Sequence, residues 1–248
     1  PLQRWGNTFD GNGHTISNVN ITHTLSDGDR VFGFFNTNFN VICNLTITGT
    51  YTINNPDNLD ACFIGTFTGE SQGTIRNCHS YVDINAPGCD VGGIACRNFR
   101  MIEDCTNHGN LTGGSVGGIH AYGWNVENLT SETRNCTNYG RIEALDVYAG
   151  GIANANHGGA IFTNCINEGE VISVRVAGGI VGISNGNITL TDCENRGSIT
   201  GQDNTGGICG QLNNGESIII TNNSNTGTVN GEPGTDDNSI GYDGRNQQ

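Results

Sequence analysis

Ala149-Gly150-Gly151-Ile152 and, 28 residues on, Ala177-Gly178-Gly179-Ile180 decide the fold of this chain. The same small-Gly-Gly-Ile string stands at Val91–Ile94, Val116–Ile119 and Thr205–Ile208. Between the strings runs a second element, apolar-x-(Asn/Asp)-Cys-x-Asn-x-Gly-x-apolar. It places Cys105, Cys136, Cys165 and Cys193 in equivalent positions, with Cys78 leading the series at steps of 27, 31, 29 and 28 residues. A period of that size marks a solenoid, a propeller or a tandem array. Each unit offers short β-type runs, such as Ile161–Cys165, Glu170–Val174 and Ala177–Ile183, separated by Asn/Gly turns suited to positive φ. Propeller blades need four strands over a longer period, and leucine-rich repeats need a leucine ladder that is missing here. The expected fold is an all-β, right-handed parallel β-helix of roughly eight coils of 25–33 residues, with three short strands per coil.

Stacking coils about 4.8 Å apart turns equivalent residues into columns. Ile94, Ile119, Ile152, Ile180 and Ile208 form one inward column, and Ile75, Ile102, Phe162 and Leu190 contribute to another. The paired glycines suit a tight corner or close backbone approach. Residues 1–230 read as one continuous β-helix, less regular over 1–73 and regular over 74–230, with 231–248 as a terminal tail or degenerate last coil. In the first part, Val31–Phe35 and Ala61–Gly65 align with Val91–Ala95 at even spacing. Toward the end, Asn223 replaces the column cysteine.

Phe9-Asp10-Gly11-Asn12-Gly13-His14-Thr15-Ile16, then Val31-Phe32-Gly33-Phe34-Phe35 and Ile42-Cys43-Asn44-Leu45, resemble the GLUG-type repeats of secreted and surface-attached β-helix proteins. The later Cys and Gly-Gly-Ile units resemble the same family, so the likeness covers nearly the whole chain. It implies an adhesin-like surface protein or an accessory region of a secreted protease, and it brings no catalytic motif with it.

All ten basic residues are Arg, against 24 carboxylates, for a net charge of −14. Nucleic acid is excluded as a partner, because phosphate neutralisation needs clustered basic residues. No signal peptide is present, and no apolar run is long enough to span a membrane. The chain starts at Pro1 already within the repeat, as expected after removal of a leader or for the ordered part of something longer. Ten cysteines point to an oxidising compartment, hence an extracellular or cell-surface location. Their spacing is not that of a zinc site. Two readings stand for the column: disulfides between rungs, such as Cys78–Cys105 and Cys136–Cys165, or a ladder of buried thiols. Cys43, Cys62, Cys89, Cys96 and Cys209 lie off the column without assignable partners.

Seven Asn-x-Ser/Thr sequons, at Asn20, Asn44, Asn110, Asn128, Asn135, Asn187 and Asn222, offer N-glycosylation sites; the alternative is turn formers or a stacked amide ladder. Metalloprotease, serine hydrolase and phosphate-loop motifs are absent. Polysaccharide cleavage is the enzymatic rival, and it needs paired carboxylates on one face. Asp236-Asp237, Asp57 with Asp60, and Asp27 with Asp29 are the clusters available, all in turn-rich loops. Asp27-Gly28-Asp29 resembles a fragment of a Ca²⁺ loop but lacks the remaining ligands, so no cofactor is expected, with Ca²⁺ as the one alternative. Tyr122, Trp124 and Tyr139 are the candidates for a glycan-stacking patch. The expected role is therefore non-catalytic: a stalk, adhesin segment or filament protomer, self-associating head to tail or continuing into further β-helix, with surface glycans as the other partner class.

Overall fold

The computed structural model describes residues 2–5, 7–26, 28, 30–55, 62–125 and 129–244, with the side chains of 2–5 outside the description. Ala61, Asp27, Asp29, Asp57, Asp60, Asn128 and the side chain of Trp5 lie outside the described residues. The chain winds into a parallel β-solenoid. One face is a sheet of nine strands in chain order: Leu2–Trp5, Phe35–Asn38, Thr68–Ser71, Ala95–Asn98, His120–Trp124, Ala153–His157, Val181–Asn185, Cys209–Leu212 and Ile240–Asp243. Eight turns of chain separate the first strand from the last, with register steps from 25 residues (Ala95 to His120) to 33 (Leu2 to Phe35). At the spacing of parallel strands the stack rises about 40 Å.

The rest of each coil pairs in the same way with the coils on either side. In one regular turn the ladder segments are Ala160–Thr163, Ile166–Asn167, Val171–Ser173, Val176–Gly178 and Val181–Asn185. The expected Ala177–Ile183 run is thus divided at its Gly-Gly-Ile bend, and the Asn-x-Gly arc adds a short strand. In the first coils the even spacing fails: Phe32, Ile64 and Val91 stack, because Val31 pairs with Phe63 and Phe63 with Asp90. Val31 therefore aligns with Asp90 rather than with Val91.

Ile94, Ile119, Ile152 and Ile180 are fully buried and Ile208 nearly so. The N–H groups of Ile94, Ile119, Ile152 and Ile180 each bond the next Ile carbonyl, at 2.9 to 3.0 Å, and that of Ile208 bonds Ser239 O at 2.8 Å. Burying one such side chain contributes about 1.5–3 kcal/mol. The glycines before it are required by close approach and not by positive φ. A Cβ on Gly150 would overlap the carbonyl of Ala153, and one on Gly151 would overlap the carbonyl of Gly179 and the side chain of Asn167. Positive φ falls elsewhere, on the residue before each column cysteine: Asn77 (49°), Asp104 (53°), Asn135 (51°), Asn164 (51°) and Asp192 (55°). Asn and Asp tolerate this region better than other residues with a Cβ.

Two interior ladders tie the coils together. In the first, Asn107, Asn138, Asn167 and Asn195 are each fully buried. Asn107 Nδ2 donates to Asn138 Oδ1 (2.9 Å), Asn138 to Asn167 (2.9 Å), Asn167 to Asn195 (2.8 Å) and Asn195 to Asn225 (2.8 Å). Each amide also donates to the glycine carbonyl two residues on, at 2.8 to 3.0 Å. In the second, Cys78, Cys105, Cys136, Cys165 and Cys193 stack as reduced thiols, and all ten cysteines of the chain are buried and unbridged. Cys105 Sγ donates to Glu103 O at 3.2 Å and Cys136 Sγ to Arg134 O at 3.1 Å. Of the two readings of the column, the structure displays the thiol ladder. Asn223 ends it, accepting from Cys193 N at 2.8 Å and donating to Leu190 O at 2.9 Å. Cys136→Ala should lower unfolding free energy by about 1–2 kcal/mol in urea titration, through the lost sulfur contacts and its hydrogen bond.

Residues beyond 230 fold onto the end of the stack. Glu232–Pro233 pairs antiparallel with Thr228–Val229, and Ile240–Asp243 supplies the ninth strand of the first sheet. Asn238 anchors the segment: its carbonyl accepts from Gly207 N at 2.9 Å, and its Nδ2 donates to Pro233 O at 2.9 Å.

Candidate functional site

At the Gly-Gly-Ile corner two columns of side chains outside the main core face each other. One contains Phe63, Asp90, Ser115 and Tyr148; the other contains Glu70, Arg97, Tyr122 and Ala155. The Phe63 and Tyr122 rings meet edge to face at 6.4 Å. Arg97 lies over the Phe63 ring at 4.7 Å and over Phe99 at 5.0 Å, and its Nη1 donates to Glu70 Oε2 at 3.1 Å. Trp124 stacks on His157 at 4.5 Å. The His157 pKa is lowered by burial.

The carboxyl at the centre of this corner is Asp90. Burial raises its pKa to about 6, and the exposed carboxylate of Asp146 pushes the same way; hydrogen bonds with Tyr122 and Ser115 oppose the shift. The Tyr122 hydroxyl is in turn raised by burial and by Asp90. Chemically, the arrangement stores one proton near pH 6 on a carboxyl held in place by two hydroxyls. No local motif marks it, because Asp90, Ser115 and Tyr122 meet through coil register alone.

Tyr122 and Trp124 lie together in this corner, and Tyr139 lies apart from them. Tyr139 belongs to a surface stack across successive coils: it stacks on His108 (4.6 Å, 13°), which stacks in turn on Tyr81 (4.2 Å, 3°). Rings stacked along the solenoid axis turn their edges to solvent and occupy most of each other's faces. A sugar needs a ring face for stacking, so these rings act first as staples between coils. Beside them, Thr106 Oγ1 is hydrogen-bonded to His79 Nδ1 (2.8 Å) and to His108 Nε2 (3.1 Å). His120 is separate from both, fully buried in the core against Phe162, with Nε2 hydrogen-bonded to Thr133 Oγ1 at 2.9 Å. Burial lowers its pKa to about 3.

Several polar surface groups pair between coils. Arg141 Nε donates to Glu170 Oε2 at 2.9 Å, Arg175 Nε to Asp203 Oδ2 at 3.0 Å, and Arg196 Nη1 to Glu168 Oε1 at 2.6 Å. Sequon amides take part in the same pattern. Asn44 Nδ2 donates to Asp10 Oδ1 (2.9 Å), Asn135 Nδ2 donates to Asp104 Oδ1 (3.0 Å), and Asn135 Oδ1 accepts from Asn164 Nδ2 (3.0 Å). Asn20, Asn110 and Asn187 accept from Thr50, the Arg141 N–H and the Ser217 N–H. Asn20, Asn110, Asn135 and Asn222 are exposed, while Asn44 and Asn187 are half-buried. Asp236 and Asp237 are exposed in the turn before the last strand. Among the described residues no group of three or more His, Cys, Asp or Glu side chains comes together as a metal site.

No family model matches the chain, and no curated protein matches it. Among solved structures, its fold is similar to that of a putative immunoglobulin A1 protease from Bacteroides ovatus, with a TM-score of 0.60 and 18% identity over 86% of this chain and 68% of that one. At that identity the likeness is one of fold alone.

Proposed function

We propose that the chain is a non-catalytic structural module of an extracellular or surface protein, a rigid stalk or adhesin segment of GLUG-type β-helix. The observation that carries this reading is where its chemical groups are spent. Four Arg–carboxylate pairs among the described residues, the stack of Tyr81, His108 and Tyr139, and the interior amide ladder run from one coil to the next, as expected if the chain's task is to hold a shape. The likeness in fold to the Bacteroides ovatus protein is consistent with such folds serving as parts of larger proteins. A stalk or adhesin segment is favoured over a filament protomer by the hairpin at Glu232–Pro233. It occupies the end of the stack over Thr228–Val229, where a second copy stacking head to tail would have to pair.

Removing one coil tests this reading. Val181 sits directly over Ala153, so deletion of residues 153–180 joins equivalent positions. A spacer should stay folded and shorten by about 4.8 Å in X-ray scattering. The intact chain should release no reducing ends from soluble polysaccharides and give no saturable signal on a glycan array. Turnover or saturable binding by the intact chain, lost on deletion of the coil, would contradict the structural role.

A further inference from the structure

Cys62 and Cys89 differ from the thiols of the column. They occupy facing positions on adjacent coils: Phe63 pairs with Asp90, and Cys62 O accepts from Asp90 N at 2.9 Å. In-register neighbours of a parallel ladder sit about 4.8 Å apart at Cα, within the span of a disulfide. The two thiols are hydrogen-bonded to each other. Cys62 Sγ also accepts from Asn55 Nδ2 at 3.4 Å, and the same amide donates to Gly88 O at 3.2 Å. Asn55 and Gly88 line a surface cleft of about 480 Å³ with Asn54, Pro87, Leu145 and Asp146. Cys62 Sγ donates to Gly88 O at 3.4 Å, so the buried Cys62 and Cys89 pair sits directly beneath a wall of the cleft. The column thiols also donate to main-chain carbonyls, but to ones inside the coil. Cys96, the third thiol of this neighbourhood, is fully buried and donates to Asp90 O at 3.2 Å.

We infer that Cys62 and Cys89 are the oxidation site of this chain, converted by a low-molecular-weight disulfide entering the cleft into a reversible disulfide between adjacent coils. The Cys62 thiolate attacks one sulfur of the reagent, breaking its S–S bond and releasing one thiolate. Cys89 then loses its proton to solvent and attacks Cys62 Sγ in the mixed disulfide, expelling the second. The chain loses two protons and two electrons, and one disulfide is reduced to two thiols. Hydrogen bonds from Cys89 and Asn55 favour Cys62 as the attacking group; the bond from Cys89 holds the Cys62 thiol below its ordinary range. The same contact and burial raise Cys89. The site is independent of the structural role proposed above, since it needs neither a partner nor a surface location.

The test is native folded chain incubated with oxidised glutathione, freed of the reagent, then unfolded in denaturant at acidic pH, alkylated as the pH is raised, and mapped by mass spectrometry. Two of the ten cysteines should resist alkylation, in one linked pair of peptides carrying Cys62 and Cys89. Cys89→Ser should accumulate the glutathione adduct on Cys62, and Cys62→Ser should form neither adduct nor bridge. The bridged chain should unfold at least 5 °C higher than the reduced chain, because the crosslink closes a long loop. Full alkylation of all ten thiols in the treated native chain would overturn the inference. So would a bridge within the column or between Cys62 and Cys96. Circular dichroism of both Ser variants establishes that they are folded before the chemistry is read.

Discussion

Asn138→Ala is expected to lower the free energy of unfolding by about 4 kcal/mol, measured by urea titration at neutral pH. The substitution removes the middle of the interior amide ladder. Asn167 Oδ1 and Gly140 O each lose a donor, and one Asn107 Nδ2 hydrogen loses its acceptor. All of these groups are shut away from water, and leaving a buried polar group unpaired costs about 1–3 kcal/mol. Replacement by Asp should be at least as harmful, since a carboxylate cannot donate to Asn167 and its charge would be buried. Loss of less than 1 kcal/mol in the alanine variant would mean that the ladder is dispensable.

The second large effect concerns acid. Asp90 has a folded pKa of about 6 against an ordinary value of 3.8. Its folded form keeps a proton that the unfolded chain releases, so its contribution to stability falls as pH rises from about 4 to 6. His120 has a folded pKa of about 3 against 6.5. Here the unfolded chain takes up a proton that the folded chain refuses, and stability falls as pH drops from about 6.5 toward 3. Between pH 4 and 6 the two slopes oppose each other, each about 1.4 kcal/mol per pH unit. Single substitutions should expose them. Asp90→Asn should gain roughly 2–3 kcal/mol at pH 7 and become steeply less stable on acidification. His120→Gln, which keeps a donor for Thr133, should instead become more stable as pH falls from 6 to 4. Denaturant midpoints across this range provide the check. Variant profiles parallel to the wild type would show that neither group is perturbed as described.

The solenoid was legible because its signals repeat. An Ile that recurs after Gly-Gly, and a Cys that recurs after Asn or Asp, are constrained by the same stacking in every coil, so periodicity alone exposes columns. The Asn two residues after Cys105, Cys136, Cys165 and Cys193 carried the same periodic signal, yet an amide reads most readily as a turn former; its complete burial follows from the coil closing around it. Positive φ was expected in the Asn/Gly turns and falls on Asn77, Asp104, Asn135, Asn164 and Asp192, whereas Gly150 and Gly151 answer to crowding. The first coils were read in the wrong register because their turns differ in length. Proximity in sequence also misled: Tyr139 lies near Tyr122 and Trp124 along the chain but projects from another arc of the coil. Asp90 with Tyr122, and Cys62 with Cys89, are meetings across coils at positions that do not recur, and no local pattern marks them.

Interior ladders couple the coils from Cys78 onward into one body. Native-state hydrogen exchange of the backbone amides of residues 107, 138, 167 and 195, with and without Asn138→Ala, tests this coupling most directly. Coupling predicts that these amides open with one common free energy and that the substitution lowers all of them together. Loss of protection confined to the coils touching residue 138, with the distant ones unchanged, would contradict it.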